Sequence, residues 1–351
     1  PAVVTITLAL GVKRMVRRRA LIRKLPAVET LGSTNIICSD KTGTLTQDEM
    51  TIRKIYAGGQ NYTVTGVGYK PEGDFIKDNK NVSVSDVKEL ERLITYSVLC
   101  NDTALVKKDG VWDVLGDPTE GSMLVVAKKA GMDIEAIKKE RPRVFDIPFA
   151  SETKRMSTVN KIGDANVAIS KGAVEVILDS CTSVIVGNEI KPLTKEEKDN
   201  LLEMSLQFAS SALRVLAIGV KKLDSDDFSD ANIQSELTFV GMVGMIDPPR
   251  EEVKAAIKVC EHAGIKPIMI TGDHKVTAVA VARELGIMKD GIAVSGVELE
   301  TMSEEEFQTT VDKAEVYARI SPGHKMKIVS SLMDRGNIVA MTGDGVNDAP
   351  A

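Results

Sequence analysis

The sequence predicts an α/β protein in which a parallel-sheet domain is interrupted by an inserted α+β domain. Near the C-terminus, short apolar runs that each end in a polar motif alternate with helical patterns, which is typical of a parallel sheet covered by helices. One more run of this kind lies near the N-terminus, and residues 51–246 separate it from the others. That separation is too long for a loop within a compact domain, so it indicates an inserted domain.

Composition and charge exclude several classes of protein. Of the 351 residues, 43% are hydrophobic and 27% are charged, which excludes a largely disordered chain and a fibrous repeat. The net charge of -5 argues against nucleic acid as a partner. Neither the four cysteines nor the three histidines have the spacing of metal ligands. We therefore expect free thiols in a reducing compartment and no zinc site.

The N-terminal segment combines an apolar run with a basic one. Residues 2–10 are apolar apart from Thr5 and Thr7, and the stretch from Lys13 to Lys24 carries basic residues and no acid. About twelve residues are too few to span a bilayer, which requires roughly 20. We interpret residues 1–12 as the cytoplasmic end of a truncated membrane helix, with the basic residues just inside the membrane. The alternative is an ordinary buried strand or helix.

The split domain is expected to comprise residues 13–50 and 247–351. Apolar runs of the length of buried strands occur at residues 35–38, 267–270, 315–318 and 337–341. Helical patterns, each followed by a glycine that can end a helix, occupy residues 249–263, 275–285 and 324–335. In such a sheet, ligands bind at the carboxyl ends of the strands, where all four polar motifs are expected.

The inserted domain is expected to comprise residues 51–246 and to contain an antiparallel sheet. Residues 51–56 and 61–65 flank Gly58-Gly59 and predict a hairpin. Further strands are predicted at residues 144–147, 157–159 and 167–170. Asp117 is expected to begin one helix, and Thr194 with Glu197 forms a capping box for another.

Carboxylates recur at the predicted carboxyl edge of the split domain's sheet. Asp40 follows the first strand, and Asp344 and Asp348 follow the last. Taken alone, Asp40 fits a nucleophile, a metal ligand or a simple turn cap. Carboxylates that converge repel one another unless a cation joins them, and hard oxygen ligands of this kind suit Mg²⁺.

Three further residues at the same edge suit an oxyanion. Thr271 and Gly272 offer a hydroxyl group and backbone N–H groups, and Lys325 adds a positive charge at the start of a helix. An aspartate nucleophile, a divalent cation, a hydroxyl group and a lysine together suit phosphoryl transfer, which depends mostly on positioning and charge neutralisation.

Four motifs resemble those of P-type ATPases, the cation pumps that form an aspartyl-phosphate. They are CSDKTGTLT at residues 38–46, IDPPR at 246–250, ITGD at 270–273 and TGDGVNDAP at 342–350, in the family's order. The resemblance covers nearly the whole chain. It implies a phosphorylation domain of the haloacid dehalogenase superfamily, with a Rossmann-like parallel sheet and an inserted nucleotide-binding domain.

Carried over by position, the resemblance implies roles for the residues of the phosphorylation domain. Asp40 would accept the γ-phosphoryl group of ATP. Mg²⁺ would be bound by Asp40, the backbone carbonyl of Thr42 and Asp344. The residues implied to contact or close over the phosphoryl group are Lys41, Thr42, Thr271, Gly272, Asp273, Lys325, Asn347 and Asp348.

Position 42 departs from the phosphatases of the same superfamily. Those enzymes usually have a second aspartate two residues after the nucleophile, as general acid, and this sequence has Thr42. Without that acid, we expect water to attack the acyl phosphate more slowly. The departure favours a pump intermediate over a soluble phosphatase.

The resemblance also implies an adenine pocket in the inserted domain. Phe149, in PFASETKRMS, resembles the aromatic residue that stacks on adenine, although core packing is an equal alternative for one phenylalanine. The other residues that match the family's nucleotide contacts are Glu120, Lys154, Lys171, Gly172 and Arg214. Asp117 and Glu120 also fit a plain helix cap, and Thr153 stands where relatives often have arginine.

Within the family, PAVVTITLALG followed by KLPAVETLG looks most like the calcium-pump branch, with sodium/potassium and proton/potassium pumps as rivals. The resemblance implies the cytoplasmic catalytic part of an ATP-driven Ca²⁺ pump in the cell membrane. Its partners would be ATP, the cation bound in a missing membrane domain, and a missing actuator domain. The basic run would be a stalk at the anionic membrane face. A soluble phosphatase and a non-catalytic nucleotide-binding module remain alternatives.

Overall fold

The computed structural model describes residues 2–18, 20–187 and 189–343, which divide into two compact units. The split unit comprises residues 1–47 and 249–351, and the inserted unit comprises residues 48–248. The molecule is a mixed α/β protein with one parallel and one mainly antiparallel sheet. The functional roles predicted for the two domains stay predictions.

The described strands are numbered in chain order. They are β1 Ile36–Asp40, β2 Thr51–Ala57, β3 Gln60–Val64, β4 Phe75–Lys77, β5 Lys80–Val82, β6 Ala104–Lys108, β7 Val111–Leu115, β8 Arg143–Ala150, β9 Arg155–Ile162, β10 Ala165–Gly172, β11 Cys181–Val186, β12 Glu189–Pro192, β13 Arg214–Leu223, β14 Leu237–Ile246, β15 Lys266–Ile270, β16 Ile292–Ser295, β17 Ala314–Ala318 and β18 Val339–Thr342.

The described α-helices are numbered in the same way. They are α1 Ala2–Arg17, α2 Ala27–Gly32, α3 Lys88–Leu99, α4 Pro118–Lys129, α5 Ile134–Glu140, α6 Val174–Asp179, α7 Lys195–Ser210, α8 Asp230–Ile233, α9 Glu251–His262, α10 Lys275–Leu285, α11 Gly296–Thr301, α12 Glu304–Lys313 and α13 Pro322–Asp334.

The split unit is built on a parallel sheet with the strand order β16-β17-β15-β1-β18. Strand β1 pairs in parallel with β15 and β18, so that Asp40 lies opposite Ile270 and Ser39 lies opposite Thr342. The strands are apolar along their length because helices cover both faces of such a sheet. Cys38, Ile268 and Ile328 belong to one buried core of this unit. All four predicted strands are confirmed, and β16 is an addition that the sequence reading missed.

The inserted unit is built on a sheet with the order β5-β4-β3-β2-β14-β13-β10-β9-β8. Each neighbouring pair along this path is antiparallel, as predicted. One exception lies off the path, where β11 pairs in parallel with β14. Helix α3 supplies Leu90, Leu93 and Ile94 to the main core of the unit. Strands β6 and β7 form a separate hairpin.

Helix α1 buries none of its residues. The alternative of a buried strand or helix for the N-terminal segment is therefore wrong. Within the described residues, no helix combines the length and the apolar character needed to cross a bilayer. The interpretation of residues 1–12 as the end of a longer membrane helix stays a prediction.

Candidate functional site

The carboxylate of Asp40 lies at the carboxyl end of β1, beside a lysine from a distant part of the chain. The Nζ of Lys325 donates a hydrogen bond to Asp40 Oδ1 at 2.7 Å, and both side chains are largely buried, with 6% and 14% of their surface exposed. Ser321 caps helix α13 by accepting a hydrogen bond from the backbone N–H of His324, so Lys325 projects from a fixed first turn. The contact places a positive charge beside the Asp40 carboxyl group.

The chain turns sharply after Asp40. Gly43 has a φ of 71°, a left-handed conformation that glycine adopts without strain. Arg250 anchors this turn, because its Nη2 donates to Gly43 O at 2.9 Å and its backbone N–H donates to Leu45 O at 2.9 Å. Arg250 belongs to the IDPPR motif, but the sequence reading gave it no role. Its presence in a motif was the signal that could have identified it.

A second ion pair connects the turn with strand β15. Lys41 Nζ lies 2.8 Å from Asp273 Oδ2, and Lys41 is almost fully buried. Thr271 is also buried, and its Oγ1 accepts a hydrogen bond from the backbone N–H of Asp273 at 3.1 Å. Gly272, which lies between Thr271 and Asp273 in the chain, is exposed. The pairing of β1 with β15 thus brings the predicted residues 40, 41, 271 and 273 to one edge of the sheet.

The structure describes some of the remaining predicted site residues and not others. Thr42 is exposed in the turn, next to Asp40. Strand β18 ends at Thr342, whose hydroxyl donates to Ser39 Oγ at 2.8 Å. The predicted metal and phosphate residues that follow β18, Asp344, Asn347 and Asp348, lie outside the described residues. Their proposed convergence with Asp40 stays a prediction.

Cys38 is the other potential nucleophile near Asp40. Burial raises the pKa of its thiol to about 12. A thiol with that pKa is protonated and unreactive at neutral pH, and Cys38 packs in the core of the sheet. Cys38 is therefore not a candidate nucleophile, and the role of Asp40 stays a prediction.

A cavity of about 480 Å³ in the inserted unit collects the predicted nucleotide residues, and we call it the nucleotide cavity. Phe149 projects into it and is 62% exposed, so the alternative of core packing is wrong. The residues lining the cavity are Asp117, Thr119, Glu120, Phe149, Lys154, Lys171, Gly172, Ala173, Arg214 and Leu216. All six predicted nucleotide contacts are among them.

A buried ion pair forms one wall of the nucleotide cavity. Lys171 Nζ lies 2.5 Å from Glu120 Oε1, with 7% and 12% of the two side chains exposed. Lys171 also donates to Cys100 O at 2.6 Å, and Glu120 Oε2 accepts from the backbone N–H of Asp102 at 2.7 Å. Because both charges are paired and hydrogen-bonded, each side chain is held in a single position.

Gly172 has a packing role. A Cβ atom at this position would lie 2.4 Å from Lys154 O. Lys154 itself adopts a left-handed φ of 51°, and its carbonyl accepts from the backbone N–H of Ala173 at 3.1 Å. Only a residue without a side chain lets the backbone at position 172 come this close to the Lys154 carbonyl. This close packing keeps Lys154 in the lining of the cavity.

Thr119 and Leu216 line the nucleotide cavity but were missed by the sequence reading. Arg214 Nη1 donates to Thr119 Oγ1 at 3.1 Å, and Leu216 shares a face of β13 with Arg214 because residues two apart on a strand point the same way. Asp117 accepts hydrogen bonds from Thr119 N and Glu120 N, which confirms that it caps helix α4.

The chemistry of these two regions suits proteins that bind nucleotides and transfer phosphoryl groups. Comparison with known families is consistent with that class: residues 89–252 match the model described as "P-type ATPase, cytoplasmic domain N". Over these residues the chain is similar to P-type ATPases.

Relatives in the family match the chain over its whole length. It is 42% identical to a calcium-transporting ATPase of Bacillus subtilis, 44% identical to a cation-transporting ATPase of Synechocystis sp. and 43% identical to a calcium-transporting ATPase of Listeria monocytogenes. Each alignment covers 100% of this chain and 40%, 39% and 38% of the relative, respectively. The chain thus spans about two fifths of the length of these curated relatives.

Proposed function

We propose that this chain is the cytoplasmic catalytic part of an ATP-driven cation pump, in which Asp40 is phosphorylated by ATP. The observation that carries the proposal is the buried contact between Asp40 and Lys325 at the carboxyl end of β1. One oxygen of the Asp40 carboxylate attacks the γ-phosphorus, an acyl-phosphate C–O–P linkage forms, and the bond from the γ-phosphorus to the ADP oxygen breaks. Lys325 then neutralises the charge on the transferred group.

The nucleotide cavity would supply the substrate. The ring of Phe149 offers a face for the adenine base, and Lys154 and Arg214 offer positive charge for the phosphates at the same cavity. Base–aromatic stacking of this kind contributes about 1–3 kcal/mol. The paired Glu120 and Lys171 shape the wall against which the base would rest.

Mg²⁺ fits the oxygen donors at the phosphorylation site. Asp40 supplies a carboxylate and Thr42 a backbone carbonyl two residues later, both of which are hard ligands that Mg²⁺ prefers. Asp344 would complete the set. The bound ion would supply charge neutralisation for the phosphoryl oxygens, while Lys325, Lys41 and Thr271 hold the surrounding side chains in place.

Thr42 separates this proposal from the soluble-phosphatase alternative. We assign the split unit to the haloacid dehalogenase type, whose phosphatases use an aspartate at this position as general acid. Thr42 has no carboxyl group to activate water, so the phosphorylated Asp40 would persist long enough for a conformational change. A non-catalytic nucleotide-binding module would have no use for the buried pair of Asp40 and Lys325.

The names of the relatives favour Ca²⁺ as the transported ion. Two of the three relatives above are called calcium-transporting and one cation-transporting. We propose a Ca²⁺ pump of the cell membrane in which this part faces the cytoplasm, with ion binding in a membrane domain and dephosphorylation assisted by an actuator domain. Pumps of the sodium/potassium or proton/potassium type are the second candidate.

Phosphorylation of the full-length parent protein tests the proposal. Incubation with γ-labelled ATP should give an acid-stable, hydroxylamine-labile phosphoenzyme, and Asp40→Asn should abolish the label because the amide cannot form an acyl phosphate. Asp48→Asn, at an exposed aspartate of the inserted unit, is the matched control and should label normally. Label that persists in Asp40→Asn would contradict the mechanism.

The same assay across Ca²⁺, Na⁺, K⁺ and H⁺ identifies the ion, and phosphorylation that does not depend on Ca²⁺ would overturn the choice of Ca²⁺.

A further inference from the structure

We propose that a second cavity in the inserted unit binds a phosphate-type oxyanion, at a place separate from the nucleotide cavity. This cationic cavity has a volume of about 310 Å³ and lies where the end of α5 meets the start of β8. The lining residues that matter are Asn101, Asp102, Lys138, Arg141, Arg143 and Asn160. None of the residues lining the cationic cavity lines the nucleotide cavity.

The charges around the cationic cavity do not balance. Three cations line it, and Asp102 is the one carboxylate in its lining. Asp102 forms an ion pair with Arg143, whose Nη1 lies 2.5 Å from Asp102 Oδ1. Arg141 has its ion-pair contact with its chain neighbour Glu140, 3.5 Å away, which does not line the cavity. The lining side chains alone therefore carry a net charge of +2, which Glu140 and Glu135 offset in part from outside the lining.

Lys138 has a weak hydrogen bond to the protein. Its Nζ donates to Thr103 O at 3.4 Å, a long hydrogen bond to a neutral acceptor. Burial is the main cause that lowers the pKa of Lys138, and the positive charge of Arg143 adds to it. The carboxylates of Glu135, Asp102 and Glu120 oppose this effect. A bound oxyanion would relieve both the burial and the repulsion, because an opposite charge nearby favours the protonated amine.

The walls of the cationic cavity are held in place without a ligand. Arg143 Nη2 donates to Leu99 O and Asn101 O, which fixes the plane of the guanidinium group. Asn160 is buried, and its Nδ2 donates to Arg141 O at 3.0 Å. Such a prebuilt site binds an anion without first having to order its own side chains.

The chemistry of the lining favours phosphate over other anions. The guanidinium group of Arg141 can offer paired N–H donors that match the geometry of phosphate oxygens, and Lys138 adds a compact charge. Inorganic phosphate and a phosphorylated small molecule share this chemistry. A solvated basic surface without a ligand is the competing interpretation, and binding measurements separate the two.

Calorimetry on the 351-residue chain with inorganic phosphate, at constant ionic strength in chloride, tests the proposal. Lys138→Gln and Arg141→Gln should each weaken binding about tenfold or more, because each removes a charge-assisted contact. Lys139→Gln, at the exposed neighbour on the same helix, should leave binding unchanged. Lys138→Arg keeps the charge and should keep most of the affinity, which shows that loss in Lys138→Gln is not due to misfolding.

Arg214→Gln distinguishes the cationic cavity from the nucleotide cavity. Phosphate binding that survives Arg214→Gln and is lost in Lys138→Gln supports the proposal. Binding lost in Arg214→Gln but kept in Lys138→Gln, or no binding to the unaltered chain at millimolar phosphate, overturns it. A parallel titration with glycerol phosphate identifies the ligand class, because tighter binding than that of inorganic phosphate assigns the site to organic phosphates.

Discussion

Phe149 shows how a single residue acquires a role from where its side chain points. It lies on β8, the edge strand of the inserted unit's sheet, together with Phe145. Phe145 packs against the ring of Phe228, with 5.5 Å between the ring centroids, whereas Phe149 is 62% exposed at the nucleotide cavity. Two phenylalanines four residues apart on one strand thus serve packing and, in our proposal, base stacking.

Replacement of Phe149 by alanine should weaken the binding of ATP to this chain. The loss of base stacking corresponds to about 1–3 kcal/mol, or roughly a 5- to 150-fold higher Kd. Calorimetric titration measures the change. Phe145→Ala is the matched control, because it removes the same ring from the same strand outside the cavity, and should leave the affinity for ATP unchanged. Equal affinity in Phe149→Ala and the unaltered chain would refute the stacking role.

At the scale of elements, helix caps connect neighbouring helices of the split unit. Ser295 and Glu298 form a capping box at the start of α11, and Glu298 also accepts a hydrogen bond from Lys275 Nζ on α10 at 2.8 Å. The hydrogen bond from Lys275 is the main reason that the pKa of Glu298 falls to about 2, and the backbone of Ser295 adds to it. One carboxylate thus fixes the start of one helix against another.

Glu298→Gln should therefore change how stability depends on pH. Because the pKa of Glu298 is depressed in the folded state, its charged form stabilises that state above pH about 4.5, and the contribution is lost as pH falls towards about 2. We expect Glu298→Gln to lower the free energy of unfolding by about 0.5–1 kcal/mol at pH 7, a range typical of exposed caps and ion pairs.

Thermal melting from pH 7 to pH 3 measures this effect. The difference in Tm between the unaltered chain and Glu298→Gln should be largest above pH 5 and should narrow as the pH falls. Glu284→Gln, at an exposed position of α10, serves as the control and should show no such narrowing. A difference that stays constant down to pH 3 would show that Glu298 acts through its shape and not its charge.

At the scale of the whole molecule, the two ends of the inserted unit meet. Strands β2 and β14 are antiparallel neighbours, with Thr51 opposite Ile246. The backbone N–H of Asp48 donates to Asp247 Oδ1 at 2.9 Å. An insertion whose ends lie side by side can interrupt another domain without disturbing its core, because it enters and leaves at a single point.

Residues 48–248 should fold when expressed alone. Both of their ends lie on paired strands and the unit has its own buried core, so we expect a single cooperative unfolding transition and the same affinity for ATP as the 351-residue chain. Circular dichroism and calorimetry measure the two properties. Residues 60–248 form the control, because they lack β2 from the interior of the sheet and should not fold cooperatively. A fragment 48–248 without a cooperative transition would contradict the prediction.

The sequence by itself determined four of the five strands of the parallel sheet, three of its helices and the chemical residues at the strand ends, whereas β16 emerged only from the structure. Local patterns suffice for these features: apolar runs specify buried strands, and residues such as Ser, Asp and Gly begin and end helices. The family motifs placed Asp40, Thr271 and Lys325 at one edge because all three follow strands of the same sheet.

Only the tertiary structure decided which of these residues touch. The contact of Lys325 with Asp40 and that of Lys171 with Glu120 join residues that are far apart in the chain, and strand register and helix packing bring them together. The exposure of Phe149 depends on irregularities of β8, whose pairing with β9 shifts between Ile147 and Ala150. A bulge changes which face a side chain occupies, so the alternation of residues in the sequence cannot show whether Phe149 is buried.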